Sequence, residues 1–295
     1  MDIVLTGSTG YVGSHVLAAL TGAGHTVTAV VRSEEAAAKV KSDKVNAVIG
    51  AVTDEPFLVE LLRRADGAIH AATTGDQTAA AFDAAVVRAA DRAYRDSGKL
   101  YVHTAGLWEW GSNPVVVEDD PFDPPALVAW RPAVTEEALA IPGARVSVIC
   151  SAVVYGDGGG LANLVAGAAR DSAGRLTTIG SGRQHWGTIH AADLAALYLR
   201  VLETPTAHGR FIAASGASPT VREMSEAAAR AAGAPGVITE TDDAVRDRLG
   251  PYLAEALLLD QQATAAKART ELGWAPSGPG LLEELEYGSY THHRE

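Results

Sequence analysis

A glycine-rich loop near the head of the chain constrains its fold more than any other segment. The loop reads Thr6-Gly7-Ser8-Thr9-Gly10-Tyr11-Val12-Gly13, between the apolar run Ile3-Val4-Leu5 and a helix-like stretch over residues 10–20. Glycine at 7 permits a tight turn, and glycine at 10 lets backbone approach a pyrophosphate. Glycine at 13 lets the helix pack closely on the strand. The following helix offers unpaired N–H groups and partial positive charge to an anion. Strand, loop and helix at the start of a βαβ unit form the context that gives this spacing meaning. Gly7, Ser8, Thr9, Gly10, Tyr11, Val12 and Gly13 are therefore expected to cradle phosphates. A glycine-rich turn without ligand is the alternative.

Six short runs, at residues 3–5, 27–31, 45–49, 68–71, 100–103 and 146–149, are almost continuously Val, Ile, Leu or Ala. Strands covered on both faces have that composition. Helix-like segments separate them, notably 10–20, 54–64 and 78–97, the last with small residues repeating every fourth position. The alternation predicts an α/β fold, a doubly wound parallel Rossmann sheet with a smaller, mostly C-terminal α/β substrate-binding region. After about residue 155 the rhythm changes. Gly156-Asp157-Gly158-Gly159-Gly160 looks like a flexible break, and short strand candidates follow near 176–179, 188–190 and 210–214. The expected division is a nucleotide-binding domain of residues 1–155 plus about 186–214, and a substrate region of about 156–185 plus 215–295.

The second strand ends Val30-Val31-Arg32-Ser33. An acid there would accept hydrogen bonds from an adenosine ribose and repel a 2′-phosphate. Arg32 can instead pair with that phosphate, with Ser33 as a second donor, so NADP(H) is expected over NAD(H). A solvated surface arginine is the other reading.

Composition narrows the remaining classes. The formal charge of −12 argues against an electrostatic nucleic-acid binder. One cysteine, Cys150, excludes an intramolecular disulfide and suits a reducing compartment. No apolar run reaches the roughly 20 residues of a membrane span, and Asp2 directly after Met1 does not begin a signal peptide. A cytoplasmic protein with a small-molecule substrate is expected. No metal site is expected either, since Asp193 has no ligand cluster and His292-His293 is a poor one.

With these residues in place, the chain resembles the short-chain dehydrogenase/reductase superfamily, most of all its extended, epimerase/dehydratase-like branch. The likeness is carried by the glycine loop, Ile69-His70-Ala71-Ala72, Val153-Val154-Tyr155-Gly156, Ile189-His190-x-x-Asp193 and Leu272-Gly273-Trp274-x-Pro276. It implies that Ala71, Ala72 and Thr73 border the cofactor. Relatives often dimerise through the helices after strands four and five, so a homodimer is possible.

Two departures stand out. Gly50 is followed by Ala51 where the family often has an acid against the adenine. More consequentially, the family's Tyr-x-x-x-Lys pair, which moves the proton at the substrate oxygen and holds the nicotinamide ribose, is missing. No tyrosine lies between Tyr101 and Tyr155, and no lysine between Lys99 and Lys267. The replacements that the resemblance suggests are Thr104, beside cofactor and substrate oxygen, and Tyr155 as proton donor. Glu109 is a candidate acid or base, with an exposed loop carboxylate as the alternative. Trp108, Trp110, Trp130, Arg183, His185 and Trp186 are candidate substrate-binding residues, against core packing or solvated loop positions. His190 and Asp193 are expected to fix a turn rather than touch substrate.

The function implied is an atypical NADP(H)-dependent oxidoreductase acting on a carbonyl, imine or enone. The alternatives are a non-redox isomerase, cyclase, epimerase or dehydratase, and an NADP(H)-sensing binding protein.

Overall fold

Seven parallel strands form the central sheet in a computed structural model that describes residues 1–291. In chain order its members are β1 (Asp2–Thr6), β2 (Thr26–Val31), β3 (Val45–Ile49), β4 (Gly67–His70), β5 (Leu100–Gly106) and β6 (Arg145–Ser151). Two further strands, β7 (Val153–Gly156) and β8 (Thr188–His190), pair in parallel with each other, and β9 (Gly209–Ala213) returns to the main sheet. The order across that sheet is β9-β6-β5-β4-β1-β2-β3.

The near-continuous apolar strands are explained by the covering on both faces. Along β1, Ile3 and Leu5 point into one apolar layer with Val16 and Leu20 of α1 (Tyr11–Gly22), while Val4 points into the other. The second layer is completed by α3 (Glu55–Arg64), α4 (Ala79–Tyr94) and α5 (Arg131–Leu139). Helix α2 (Glu34–Val40) follows β2, and α6 (Ala191–Glu203) joins α1 on the first face. Local caps agree with this path. Ser33 caps α2 and Asp54 caps α3, each accepting a backbone N–H three residues on. A third apolar cluster lies beyond the sheet, joining Tyr155, Trp186 and Ile179 to Met224 of α7 (Val221–Ala231), Leu257 and Leu285.

Strand order reverses between β1 and β4, with β2 and β3 on one side and β5, β6 and β9 on the other. Ligands of open α/β sheets bind at the carboxyl ends of strands at such a reversal. The glycine loop leaves β1 there, against the turn that leaves β4.

The glycines at 156–160 make a packed turn rather than a slack break. Gly156, Gly158 and Gly160 have φ of +115°, +68° and +76°, and Asp157 has +50°. Tyr11, at the head of α1, donates to the Gly156 carbonyl at 2.8 Å. A Cβ on Gly159 would lie 2.2 Å from that ring. The glycines are there for close approach, and they tie the turn to the start of α1.

Candidate functional site

Two cavities meet at the start of α1. The larger, of about 830 Å³, runs from Gly7, Gly10 and Val12 past Arg32 and Ser33 to Ala71, Ala72 and Thr73. The smaller, of about 320 Å³, opens beside Thr104, Trp108, Arg131, Val153 and Trp186. Tyr11 and Val12 line both.

The loop geometry follows from its glycines. Gly7 has φ +80°, and a Cβ there would meet the Ala71 carbonyl carbon and oxygen at 2.6 Å. A Cβ on Gly13 would lie 2.0 Å from the Gly7 oxygen, so α1 sits directly on its own loop. Gly10 is the N-cap, with no side-chain cap and no acid in the first turn of the helix. The first N–H groups of α1 and its dipole thus meet no protein anion in that turn. At the far end of the cleft Arg32 is exposed and forms no hydrogen bond or ion pair among the described residues. The Ser33 hydroxyl accepts the Ala36 N–H at 3.2 Å, which leaves its own proton free to donate.

The smaller cavity is walled mostly by apolar groups, and most of its polar side chains already have partners. Thr104 donates to the His70 carbonyl at 2.6 Å and lies 2.6 Å from the Tyr198 hydroxyl, which therefore donates to it. Gln261 donates to the Leu107 and Gly111 carbonyls, and the Trp186 indole to the Leu257 carbonyl. The Trp108 indole N–H has no partner among the described residues, and Arg131 is the second exception. It is the one charged side chain in this lining, its Nε is buried without a partner, and its guanidinium lies 4.9 Å from the Trp130 ring centre.

Beneath the sheet ends lies a buried polar cluster. Asp83 of α4 faces His70 at 3.3 Å and His103 at 3.7 Å, while Thr6 meets His70 and Tyr101 meets His103. Burial, with the neighbouring His70, pushes the His103 imidazole down to about 3, so it is neutral at physiological pH. The cluster fixes the ends of β1, β4 and β5, from which the loop and Thr104 emerge. Among the described residues no group of three or more His, Cys, Asp or Glu side chains can hold a metal. His292 and His293 lie outside the described residues.

Glu109 is fully buried, not an exposed loop carboxylate. It sits in a 3₁₀ turn, Leu107–Trp110, and accepts the Gly106 N–H at 3.2 Å, leaving its second oxygen unpartnered. Burial raises its carboxyl to about 7, against the opposing pull of that N–H, Arg131 and Arg210. Since the folded-state value lies above the unfolded one of 4.5, stability is full below the unfolded value and falls as pH rises toward 7. Glu109→Gln keeps the acceptor for Gly106 and removes the buried charge. It is expected to raise the melting temperature by several degrees at about pH 8, on the order of 2–3 kcal/mol, and to change little at about pH 5. An unchanged or lower melting temperature at the higher pH contradicts this.

The other residues singled out in the sequence fall into three groups. Gly7, Thr9, Gly10, Tyr11, Val12, Arg32, Ser33, Ala71, Ala72 and Thr73 share the larger cleft. Ser8 is buried behind it and Gly13 packs under it. Thr104, Trp108 and Trp186 line the smaller cavity, whereas Trp130 is outside its lining, packed against the second apolar layer with its ring against Arg131. Trp110 is instead a core residue, 5.2 Å from the Phe122 ring and donating to the Asp120 carbonyl. Tyr155 is buried outside the cavity lining, its hydroxyl donating to the Pro279 carbonyl at 2.8 Å. The phenol that reaches Thr104 belongs to Tyr198 of α6. His185 pairs with Asp260 at 2.9 Å, and it and Arg183 stand outside the cavity lining. His190 caps α6, and Asp193 accepts the Ser277 and Gly278 N–H groups.

Arg131 was the residue that motif reading passed over, although one signal was present. It opens a helix, where the dipole disfavours a cation, and the first turn has no acid to offset it. A choice that breaks a local rule at a cavity wall points to function.

Comparison with known proteins agrees with the geometry. The NmrA-like family model matches residues 1–94. An uncharacterized protein of Schizosaccharomyces pombe is 27% identical over 297 residues, covering 98% of this chain and 100% of its own. The 4-hydroxy-2-methyl-3-oxo-4-farnesyl-3,4-dihydroquinoline-1-oxide ketoreductase of Stigmatella aurantiaca is 32% identical over 146 residues, covering 47% of this chain and 44% of that protein. Among solved structures, MoeE5 in complex with UDP-glucose and NAD superimposes with a TM-score of 0.78 at 19% identity, covering 99% of this chain and 98% of that one. The human epimerase family protein SDR39U1 with NADPH gives 0.75 at 21% identity, covering 98% and 99%. The chain thus resembles the NmrA-like family over its first third and shares, throughout, the fold of MoeE5 and SDR39U1.

Proposed function

We propose that the protein is an NADP(H)-dependent oxidoreductase that acts on a small, largely apolar carbonyl, imine or enone without the Tyr/Lys pair. The observation that carries this reading is the meeting of two cavities at Tyr11 and Val12, one suited to a dinucleotide and the other to an organic molecule. A dinucleotide fits the chain's own residues. The α1 N-terminus lacks a protein anion in its first turn, and Gly10 leaves room for a phosphate. Arg32 supplies an unpaired cation where a 2′-phosphate would end. SDR39U1 with NADPH supports the cofactor choice, while MoeE5 carries NAD, and the ketoreductase of Stigmatella aurantiaca supports redox chemistry.

NADPH, when bound, supplies a hydride at nicotinamide C4. The chain's part is to hold donor and acceptor carbon together and exclude water, which carries much of the rate in such transfers. Tyr11 and Val12 stand between the two compartments, and Thr104, Val153, Trp108 and Trp186 line the substrate side. Thr104 has its proton directed to the His70 carbonyl, so toward a substrate it acts first as an acceptor. An enone or iminium is favoured because its reducible carbon needs less help from an acid at oxygen. The sheet domain binds cofactor, and the region around the third apolar cluster closes over substrate.

The test is consumption of NADPH, followed by its near-ultraviolet absorbance, across matched carbonyl, imine and enone panels. Oxidation by at least one class is expected, with little activity when NADH replaces NADPH. Tight NADPH binding without oxidation in any panel overturns the redox reading. Substrate turnover with no net absorbance change would instead favour isomerase, cyclase, epimerase or dehydratase chemistry.

A further inference from the structure

Arg131 also identifies the class of substrate, an inference that rests on the smaller cavity being the substrate compartment. A guanidinium always carries its charge and offers five donors in a planar fork. Here it lines a cavity walled mostly by apolar groups, with Nε buried and unpartnered and with no hydrogen bond or ion pair among the described residues. It lies over the face of Trp130, which orients the plane without satisfying its donors, and the buried Glu109 that it acts on electrostatically forms no ion pair or hydrogen bond with it. Partly desolvating a cation without partners is costly, and its place at the start of α5 adds an unfavourable dipole.

No general attraction explains an anion here, since the chain carries a formal charge of −12. The attraction is local. Gln261, Trp186, Tyr11, Thr104 and Ser151 already direct their donors to carbonyls, which leaves the single Trp108 indole N–H and the Arg131 guanidinium, the one charged donor set with a fork for a planar acceptor. We propose that the smaller cavity takes an organic carboxylate whose apolar body packs against Trp108 and Trp186 and whose acid group is held by Arg131. Two oxygens on one carbon match the fork better than a single carbonyl or hydroxyl does.

The test titrates trans-cinnamate and cinnamamide calorimetrically into the protein, with and without NADP⁺. The two probes share a shape and differ in the acid group. Wild type is expected to bind the carboxylate at least about tenfold more tightly than the amide. Arg131→Met should equalise the two and, by removing an unpartnered cation from the head of α5, should not lower the melting temperature, and Arg131→Lys should keep part of the preference, while NADP⁺ affinity stays near wild type. Equal binding of both probes by wild type overturns the proposal, as does no carboxylate binding at millimolar concentration or a preference that survives in Arg131→Met. Should the Met variant not fold, the wild-type preference and its reduction in the Lys variant decide. Titration without NADP⁺ separates the outcomes. A failure of NADP⁺ to bind counts against the cofactor reading, whereas loss of carboxylate selectivity counts against Arg131 alone.

Discussion

Arg32→Ala is expected to weaken NADP(H) binding by about tenfold to a hundredfold and to leave NAD(H) binding nearly unchanged. The magnitude is that of a charge-assisted contact to phosphate. It acts on one cofactor because only NADP(H) carries the 2′-phosphate. The structure supplies the conditions for so large an effect at an exposed side chain. Arg32 lines the cleft, has no competing partner among the described residues, and adjoins Ser33, whose capping hydroxyl keeps its proton free to donate. Because the group is solvent-exposed, the preference should shrink as ionic strength rises. Calorimetric titration of both cofactors into wild type and variant reads the effect. Equal wild-type affinities for the two cofactors, or equal losses for both on substitution, would show that Arg32 does not select the phosphate.

Gly13→Ala is expected to have the largest effect on the fold and the cofactor together. The added carbon would stand 2.0 Å from the Gly7 oxygen and 2.6 Å from its carbonyl carbon, both backbone atoms, so no rotamer change relieves it. Either α1 or the loop must move, at a cost of about 3 kcal/mol or more, roughly 6 °C or more in melting temperature. Cofactor binding should disappear with the displaced loop. Gly10→Ala is the informative partner. Its backbone lies at φ −82° and ψ 170°, which alanine adopts freely, and its nearest contact would be 3.2 Å. It should keep most of the stability and still lose cofactor, because the methyl occupies the phosphate's approach. Thermal melts and NADPH titration on both variants separate packing from binding. A wild-type melting temperature for Gly13→Ala would contradict the close packing of α1 on its loop.

The fold was legible because its signals are local and mutually consistent. Apolar continuity in β1 through β6 reflects a sheet covered on both faces, and the glycine spacing reflects contacts made within a few residues of the loop. The site was less legible because it depends on which way individual side chains point. Trp108 and Trp110 looked equivalent in sequence, yet the 3₁₀ turn sends one to the cavity and the other to the core. Tyr155 and Tyr198 are both buried phenols. Their hydrogen bonds, to Pro279 and to Thr104, are set by contacts 124 and 94 residues apart that no spacing rule encodes. Only the flanking Trp108 and Trp110 hinted at the burial of Glu109, and a carboxylate in a loop is usually solvated. The missing Tyr/Lys pair, by contrast, was plain from the absence of lysine between Lys99 and Lys267. What stands at the head of α5 is Arg131, and its meaning emerges only once its donors are seen to lack partners.

A crystal structure of the NADPH complex tests the central claim most directly. The predicted result has pyrophosphate over the first N–H groups of α1, the 2′-phosphate beside Arg32 and Ser33, and the nicotinamide at Tyr11 and Val12, with its reactive face toward the cavity that holds Thr104 and Arg131. A nicotinamide ring turned away from that cavity, or an adenosine end lodged away from Arg32, would contradict it.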